Sequence, residues 1–202
     1  MYYVVYDNFL RADEFGRLKG CLGPDGEFPW KLGSRINNND QRNDDMYFAT
    51  NIYHAYSGWA NNLNNNILEA IDAVSTKLHI EALFRIKANM YFPSRTGKVV
   101  HHAPHIDADF HHQGALFFLT TCDAPTTMAD GTPIESIENR LLLFDPVTNH
   151  SSSSPTNAPF RQTINFNYFG AGINKNYKDR MVNPIPILSK NAEKLDEFWV
   201  KS

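Results

Sequence analysis

The feature that most constrains this chain is a histidine-rich stretch at residues 101–112, centred on His105, Ile106 and Asp107. On an extended strand, side chains two positions apart point to the same side. His105 and Asp107 are therefore predicted to converge on one point, while Ile106 packs behind them. An imidazole and a carboxylate held in this way would supply two of the three ligands of a metal-binding face.

The third ligand has to come from a distant segment, and His150 is the candidate. Two histidines and one carboxylate on one face of an octahedron leave the other positions open, an arrangement that binds non-haem Fe(II) in oxygenases. The H-x-D pattern alone proves little, because so short a motif often occurs by chance. Asp109 competes with Asp107 for the carboxylate position. Four other histidines could act as metal ligands, or could hydrogen-bond to the ligands or face solvent instead. They are His101, His102, His111 and His112.

A second group of candidate site residues follows His150 on a predicted strand. Arg161 is separated from Thr163 by one residue, so both side chains lie on the same face of that strand. A guanidinium is a fixed two-pronged donor for a carboxylate, and a neighbouring hydroxyl can donate a further hydrogen bond. Together they would hold the far carboxylate of a dicarboxylic acid. The alternative is that Arg161 only pairs with a structural acid on the sheet.

Residues 84–91 alternate between polar and apolar side chains, which predicts a strand with two unlike faces. The polar positions are Arg85, Lys87, Asn89 and Tyr91. In a ligand-holding jelly roll, such a polar face can line the cavity instead of facing water. Arg85 and Lys87 could be substrate anchors, but they could also be outward-facing charges. Tyr91 could contact a cosubstrate, but it could also be a core aromatic residue.

The rest of the chain predicts a mainly β fold with flanking helices. Short strands separated by turn residues favour a double-sheet jelly roll, with the helices from the N-terminal part packed on one sheet. Helical spacing of apolar residues predicts helices over residues 13–22, 63–78 and 190–200. Residues 23–45 and 125–133 are rich in turn formers and predict loops, the first of them either a pocket lid or a surface excursion.

Length and composition limit the remaining possibilities. A chain of 202 residues is expected to form a single domain over residues 1–202. Its net charge of −3 argues against nucleic-acid binding, which depends on neutralising phosphates. Cys21 and Cys122 are far apart, so no disulfide framework is predicted. No leader or membrane-spanning stretch is present in the sequence, so we expect a cytoplasmic protein without a membrane partner.

The order of these residues resembles the Fe(II)- and 2-oxoglutarate-dependent oxygenases, and within them the prolyl-hydroxylase-like branch. The resemblance covers about residues 84–169, and segments 139–141 and 165–169 are also similar to small oxygenases of this type carried by bacteriophages. It rests on Asn89, Tyr91, His105, Asp107, His150, Arg161 and Thr163. The family folds as a double-stranded β-helix, a cupin-like jelly roll. The resemblance therefore implies supporting elements in 1–83, a core in 84–169 and a C-terminal extension in 170–202.

The resemblance also implies roles for the site residues. His105, Asp107 and His150 would be the iron ligands and the catalytic centre, and Arg161 would pair with the distal carboxylate of 2-oxoglutarate. Thr163, Tyr91 and Asn89 would assist in binding that cosubstrate. The implied cofactors are Fe(II), 2-oxoglutarate and O2, with ascorbate as an auxiliary reductant. The implied reaction hydroxylates a peptide or small molecule and releases succinate and CO2, in the host cytoplasm if the protein is phage-encoded.

The chain departs from the prolyl-hydroxylase pattern in two places. Arg161 stands where the collagen-type branch has lysine, and residues 124–131 replace the Gly-Gly-x-Thr segment common between the metal motifs. A cupin-like metalloenzyme that does not use 2-oxoglutarate and a non-catalytic jelly-roll binding or virion module remain alternatives. Peptidyl proline, a free amino acid, a nucleobase and a small metabolite all remain open as substrates, and the sequence does not determine the oligomeric state.

Overall fold

The computed structural model describes residues 3–33 and 47–170. The predicted helix at 190–200 and much of the predicted loop at 23–45 lie outside these ranges. Neither helix within them has the length and apolar composition that crossing a membrane requires. The helices are α1 (Ala12–Leu22) and α2 (Asn65–Lys77). The strands are β1 (Tyr3–Tyr6), β2 (Lys31–Leu32), β3 (Tyr47–His54), β4 (Gly58–Trp59), β5 (Ile80–Tyr91), β6 (Val100–His101), β7 (Gln113–Phe118), β8 (Cys122–Met128), β9 (Pro133–Ser136), β10 (Arg140–Phe144), β11 (His150–Ser151), β12 (Ser153–Ser154) and β13 (Arg161–Gly170).

Eight strands form the main antiparallel sheet, in the order β1, β10, β7, β13, β5, β3 and β2, with β4 paired to β3. The central strand β13 pairs with β7 on one side and β5 on the other. Facing this sheet are a three-stranded sheet, β11, β8 and β9, and the pair β12 and β6. The result is the mainly β jelly roll that the sequence predicted.

The two helices cover the outer face of the main sheet, as predicted for the N-terminal part. Helix α2 begins where the Asn64 side chain accepts a hydrogen bond from the Ile67 N–H at 3.0 Å. An ion pair of 2.6 Å between Lys77 and Glu14 joins α2 to α1. The apolar stripe of α2 is buried against the sheet and consists of Ile67, Ala70, Ile71 and Val74.

The strands of the main sheet divide their side chains between two different environments. In β13, Ile164, Phe166 and Tyr168 belong to the core beneath the helices. The alternate residues of β13 point between the two sheets, and they are Arg161, Thr163, Asn165 and Asn167. Strand β5 follows the same rule, with Ile86 and Ala88 under the helices. Polar groups therefore line the interior of the jelly roll, the second of the two possibilities that the alternation allowed.

The other end of the space between the sheets is apolar. A second cluster joins Leu116 and Phe118 of β7 to Met128 and Ile134 of the smaller sheet. Tyr3, Val5, Leu142 and Phe144 complete this cluster. The interior is thus filled with hydrocarbon at one end, which leaves the polar end for a site.

The prediction of a loop over residues 125–133 is wrong for most of these residues, because they belong to strands. Residues 122–128 form β8, and β9 begins at Pro133, so only a short turn separates the two strands. Proline normally interrupts a strand, but the pairing of β8 with β9 has an irregularity between Cys122 and Thr126 that accommodates Pro125. The buried side chains of Ala124 and Thr126 show the alternation that the composition concealed.

Candidate metal centre

The structure brings His105, Asp107 and His150 together at the polar end of the interior. One ligand atom from each residue lies within 4.8 Å of the ligand atoms of the other two. His150 Nε2 is 3.9 Å from Asp107 Oδ2, and the two imidazole centroids are 4.6 Å apart. This is the convergence that the sequence predicted.

The local backbone that produces this convergence differs from the predicted extended strand. His105 forms an isolated β-bridge with His150, in which each N–H donates to the other carbonyl at 3.0 Å. The Asp107 N–H donates to the Pro146 carbonyl at 2.9 Å. Ile106 is 41% exposed, so the prediction that it packs behind the two ligands is wrong. The segment is a loop tied to β11, and solvent rather than core lies behind it.

The competing candidates do not join this cluster. Asp109, His101 and His111 are exposed. His102 is buried and hydrogen-bonded to Ser152 at 2.7 Å and to Ser154 at 3.0 Å. The buried ring of His112 contacts the Asn167 amide at 3.2 Å. Within the described ranges, the structure therefore favours Asp107 over Asp109.

The Asp107 carboxylate is held by three donor groups, and its side chain is 2% exposed. Arg85 Nη2 donates to Oδ1 at 2.6 Å, and Asn167 Nδ2 donates to Oδ2 at 2.9 Å. Asn165 Nδ2 is shared between both oxygens, at 3.2 and 3.0 Å. The interpretation of Arg85 as an outward-facing charge is therefore wrong, because its side chain turns inward from β5 and pairs with a buried acid.

Opposing effects determine the ionisation of the two ligands from the loop. Burial by itself would raise the pKa of Asp107, but Arg85, His150 and the two asparagines hold that pKa well below its usual range. Burial, followed by the charge of His150, lowers the pKa of His105 to about 4. At neutral pH the carboxylate is ionised and His105 is neutral. Metal ligands need these protonation states.

The donor set fits a divalent cation. His150 Nδ1 lies 3.0 Å from the Thr148 carbonyl oxygen. Because a carbonyl only accepts, Nδ1 carries a proton, so Nε2 is the nitrogen whose lone pair the neutral imidazole would offer to a metal. Each Asp107 oxygen accepts two hydrogen bonds, and the two from Asn165 come from a single amide, so a metal ion on this carboxylate would take the place of one Asn165 contact. Two imidazoles and this carboxylate are suitable ligands for Fe(II).

Arg161 lies in the same interior and is 1% exposed. Its Nε donates to Ser136 Oγ at 2.7 Å, and its Nη2 donates to Thr126 Oγ1 at 2.6 Å. The guanidinium also packs against the rings of Tyr91 and Phe118, at 5.5 and 5.6 Å. No acid among the described residues pairs with it, so the structural-acid alternative receives no support from the structure.

The remaining predicted residues lie around Arg161 on the neighbouring strands. Thr163 is buried and is the register partner of Asn89 on β5. The Tyr47 hydroxyl donates to Asn89 Oδ1 at 2.8 Å, and the Tyr47 ring stacks on Tyr91 at 5.2 Å. The Tyr91 hydroxyl hydrogen-bonds the Ser152 side chain. Tyr91 is thus both a core aromatic residue and a neighbour of the Arg161 guanidinium.

Sequence reasoning missed several residues of this region. Asn165 and Asn167 continue the face of β13 that carries Arg161 and Thr163, so the period of two could have identified them. Thr126 and Ser136 gave no such signal, because the first was assigned to a loop. Their role depends on the second sheet, which folds over the guanidinium.

Jelly-roll folds of this topology are found in solved structures of oxygenases. No protein-family model matches the chain, and no curated protein matches it. Among solved structures, it is similar to a prolyl hydroxylase of Trichoplax adhaerens, in complex with an oxygen-degradation-domain peptide fragment of hypoxia-inducible factor. That match has a TM-score of 0.57 and 18% identity, and covers 83% of each chain.

Two bacterial structures are similar to a comparable degree. A prolyl 4-hydroxylase of Pseudomonas putida has a TM-score of 0.52 at 15% identity, with 83% of this chain and 92% of that chain covered. A 2-oxoglutarate–Fe(II) oxygenase of Burkholderia pseudomallei has a TM-score of 0.55 at 12% identity, with 83% and 84% covered. At these identities the likeness establishes the shared fold.

The ion pair between Arg85 and Asp107 gives a test of the buried network. Arg85→Met leaves a buried carboxylate without its cation, so we expect the metal-free protein to lose about 3 kcal/mol or more of unfolding free energy. The double variant Arg85→Met/Asp107→Asn should lose clearly less than the sum of the two single variants. Urea denaturation at pH 7 measures all four proteins. Additive losses would show that the pair is not coupled.

The lowered pKa of His105 predicts a pH dependence of stability. Its folded-state pKa of about 4 lies below the ordinary 6.5, so the unfolded chain binds the proton first. The contribution of His105 is complete above pH 6.5 and is lost as the pH falls toward 4. Between pH 7 and 4.5, the metal-free protein should lose more unfolding free energy than His105→Gln does. His111→Gln, at an exposed position, should match the unmodified protein, and equal slopes for all three would contradict the assignment.

Proposed function

We propose that this protein is an Fe(II)- and 2-oxoglutarate-dependent dioxygenase that hydroxylates a peptide or small-molecule substrate and releases succinate and CO2. The observation that carries the proposal is the convergence of His105, Asp107 and His150 in one buried polar interior. A double-stranded β-helix core at residues 84–169, within a single domain, would provide the frame. The likeness in fold to prolyl hydroxylases and to a 2-oxoglutarate–Fe(II) oxygenase supports the same reaction class.

His105, Asp107 and His150 would hold the iron, and Arg85, Asn165 and Asn167 would keep the carboxylate ionised and oriented toward it. Bound together, Fe(II) and 2-oxoglutarate supply oxidative chemistry in which O2 hydroxylates a C–H bond, with ascorbate as a reductant for the metal. The protein contributes orientation and a site shielded from bulk water. The Asp107 side chain, at 2% exposure, is already shielded in this way.

Arg161 would bind the distal carboxylate of 2-oxoglutarate. A buried guanidinium without an acid partner is costly, and a carboxylate from a ligand would compensate its charge. Thr126 and Ser136 fix the plane of the guanidinium and leave the Nη1 hydrogens and one Nη2 hydrogen for a carboxylate. Thr163, Tyr91 and Asn89 would complete the cosubstrate site from β13 and β5.

The two alternative functions fit the contacts less well. A cupin-like enzyme without 2-oxoglutarate usually takes an additional histidine or glutamate ligand, and the metal-ligating group found in the described residues has three members. A non-catalytic module gives no reason for a buried, unpaired Arg161. We further propose a cytoplasmic location, which would be the host cytoplasm if the protein is phage-encoded.

The first test is anaerobic addition of Fe(II) and 2-oxoglutarate, followed by visible spectroscopy. We expect the charge-transfer band of the iron–cosubstrate chelate in the unmodified protein and in Asp109→Ala. The same change at Asp107 should abolish both the band and oxygen-dependent succinate formation. Asp109 is the matched control because it is an exposed aspartate two positions away. A band that persists in Asp107→Ala would overturn the proposal.

Arg161→Met tests the cosubstrate site separately from the metal. A charged hydrogen bond to a carboxylate contributes about 1.5–3 kcal/mol, so affinity for 2-oxoglutarate should fall at least about tenfold. Fe(II) affinity should change little, and the exposed control Arg95→Met should behave like the unmodified protein in both measurements. Unchanged 2-oxoglutarate affinity with iron still bound would favour a metalloenzyme that does not use this cosubstrate.

A further inference from the structure

Lys87 is a second cation of β5 that points into the interior beside the candidate metal centre. Its neighbours on the same face, Arg85 and Asn89, contact Asp107 and Tyr47 respectively. The Lys87 ammonium lies 5.4 Å from the centroid of the Tyr47 ring, and the side chain is half-buried. The interpretation of Lys87 as an outward-facing surface charge is therefore wrong.

Within residues 3–33 and 47–170, the Lys87 ammonium forms no ion pair. Asp107 is close enough to influence its charge, but that carboxylate is already engaged by Arg85, Asn165 and Asn167. Burial, and then the charge of Arg85, lowers the pKa of Lys87 to about 8. Most of the ammonium is still protonated at pH 7, so the site carries a positive charge that the described acids do not compensate.

A second polar group next to Lys87 also lacks a partner. Asn165 is the register partner of Lys87 on β13, so the two side chains lie side by side. Asn165 is 8% exposed, its Nδ2 is engaged by Asp107, and its Oδ1 is buried without a hydrogen bond among the described residues. Buried polar atoms are normally paired, so the unpaired Asn165 Oδ1, beside an ammonium that has no ion pair among the described residues, favours a polar ligand as the missing partner.

The charges around the site indicate whether that ligand is an anion or a cation. This inference rests on the proposed function. Among the described residues around the site, the cations are Arg85, Lys87 and Arg161, and the anion is Asp107. A bound Fe(II) and the 2-oxoglutarate dianion cancel each other. Asp107 compensates one of the three cations, which leaves an excess of two positive charges. Because unpaired charge away from water is costly, the loaded site favours a further anion.

We propose that Lys87 binds an oxyanion group, a carboxylate or phosphate, of the primary substrate. The enzyme would then hydroxylate an acidic substrate, held by its charged group beside the metal. The unpaired Oδ1 of Asn165 would accept a hydrogen bond from a hydroxyl or amine of the same molecule, or from a water that it retains. An ammonium is a suitable partner for either oxyanion, since it donates up to three hydrogen bonds without a fixed geometry.

Inorganic phosphate is the probe, and its binding to the metal-free protein is measured by calorimetry and by the rise in thermal midpoint. We expect saturable binding that weakens at least about tenfold in Lys87→Gln. Lys98→Gln removes the same charge from an exposed turn and should bind phosphate as the unmodified protein does. Lys87→Arg keeps the charge and should retain binding. Equal affinities in Lys87→Gln and the unmodified protein would overturn the proposal.

A repeat with Mn(II) and saturating 2-oxoglutarate identifies which molecule supplies the oxyanion. Phosphate binding that persists and still depends on Lys87 supports a site for the primary substrate. Displacement of phosphate by 2-oxoglutarate would assign Lys87 to the cosubstrate and overturn the proposed substrate class. If Mn(II) and 2-oxoglutarate fail to bind, the proposed function fails, whereas the metal-free measurement still decides whether Lys87 forms an oxyanion site.

Discussion

The buried negative charge of Asp107 is the interaction on which the arrangement of the interior depends. Its carboxylate accepts hydrogen bonds from Arg85 of β5 and from Asn165 and Asn167 of β13. These bonds attach the loop that carries His105 to the two central strands of the main sheet. The Asp107 carboxylate thus positions the candidate metal ligands and also pairs with three buried donor groups. The contacts that shape the site therefore also stabilise the fold.

The two faces of β5 and β13 have different roles: one packs into the apolar core that stabilises the fold, and the other carries the polar residues of the candidate site. The faces of β5 and β13 toward the helices pack into a large apolar core, while the opposite faces are polar. A second apolar cluster borders the site between the sheets, where Phe144 packs on His150 and Phe118 on Arg161. Because both faces of β13 are buried, its polar side chains have little freedom, which suits a site that needs fixed geometry.

The residues that could be predicted from sequence are those whose signal is local. The alternation along residues 84–91 depends only on the period of a strand. The short spacing of His105 and Asp107 is also local, although the segment that carries them is a loop and not the strand that was predicted. The inward direction of Arg85 and Lys87 was missed, because which face of a strand is interior depends on the sheet that covers it. The exposure of Ile106 and the strand at 122–128 likewise follow from backbone pairing with distant segments.

The alternation along β13 has a consequence for how this chain can change over time. Insertion or deletion of a single residue just after Arg161 would exchange the two faces for the residues that follow, placing Thr163 and Asn165 against the helices and Ile164 and Phe166 at the metal centre. One such event would therefore destroy the hydrocarbon core and the chemistry together. We expect variation in this segment to proceed by replacement at constant length, with any gain or loss of residues confined to the turns on either side.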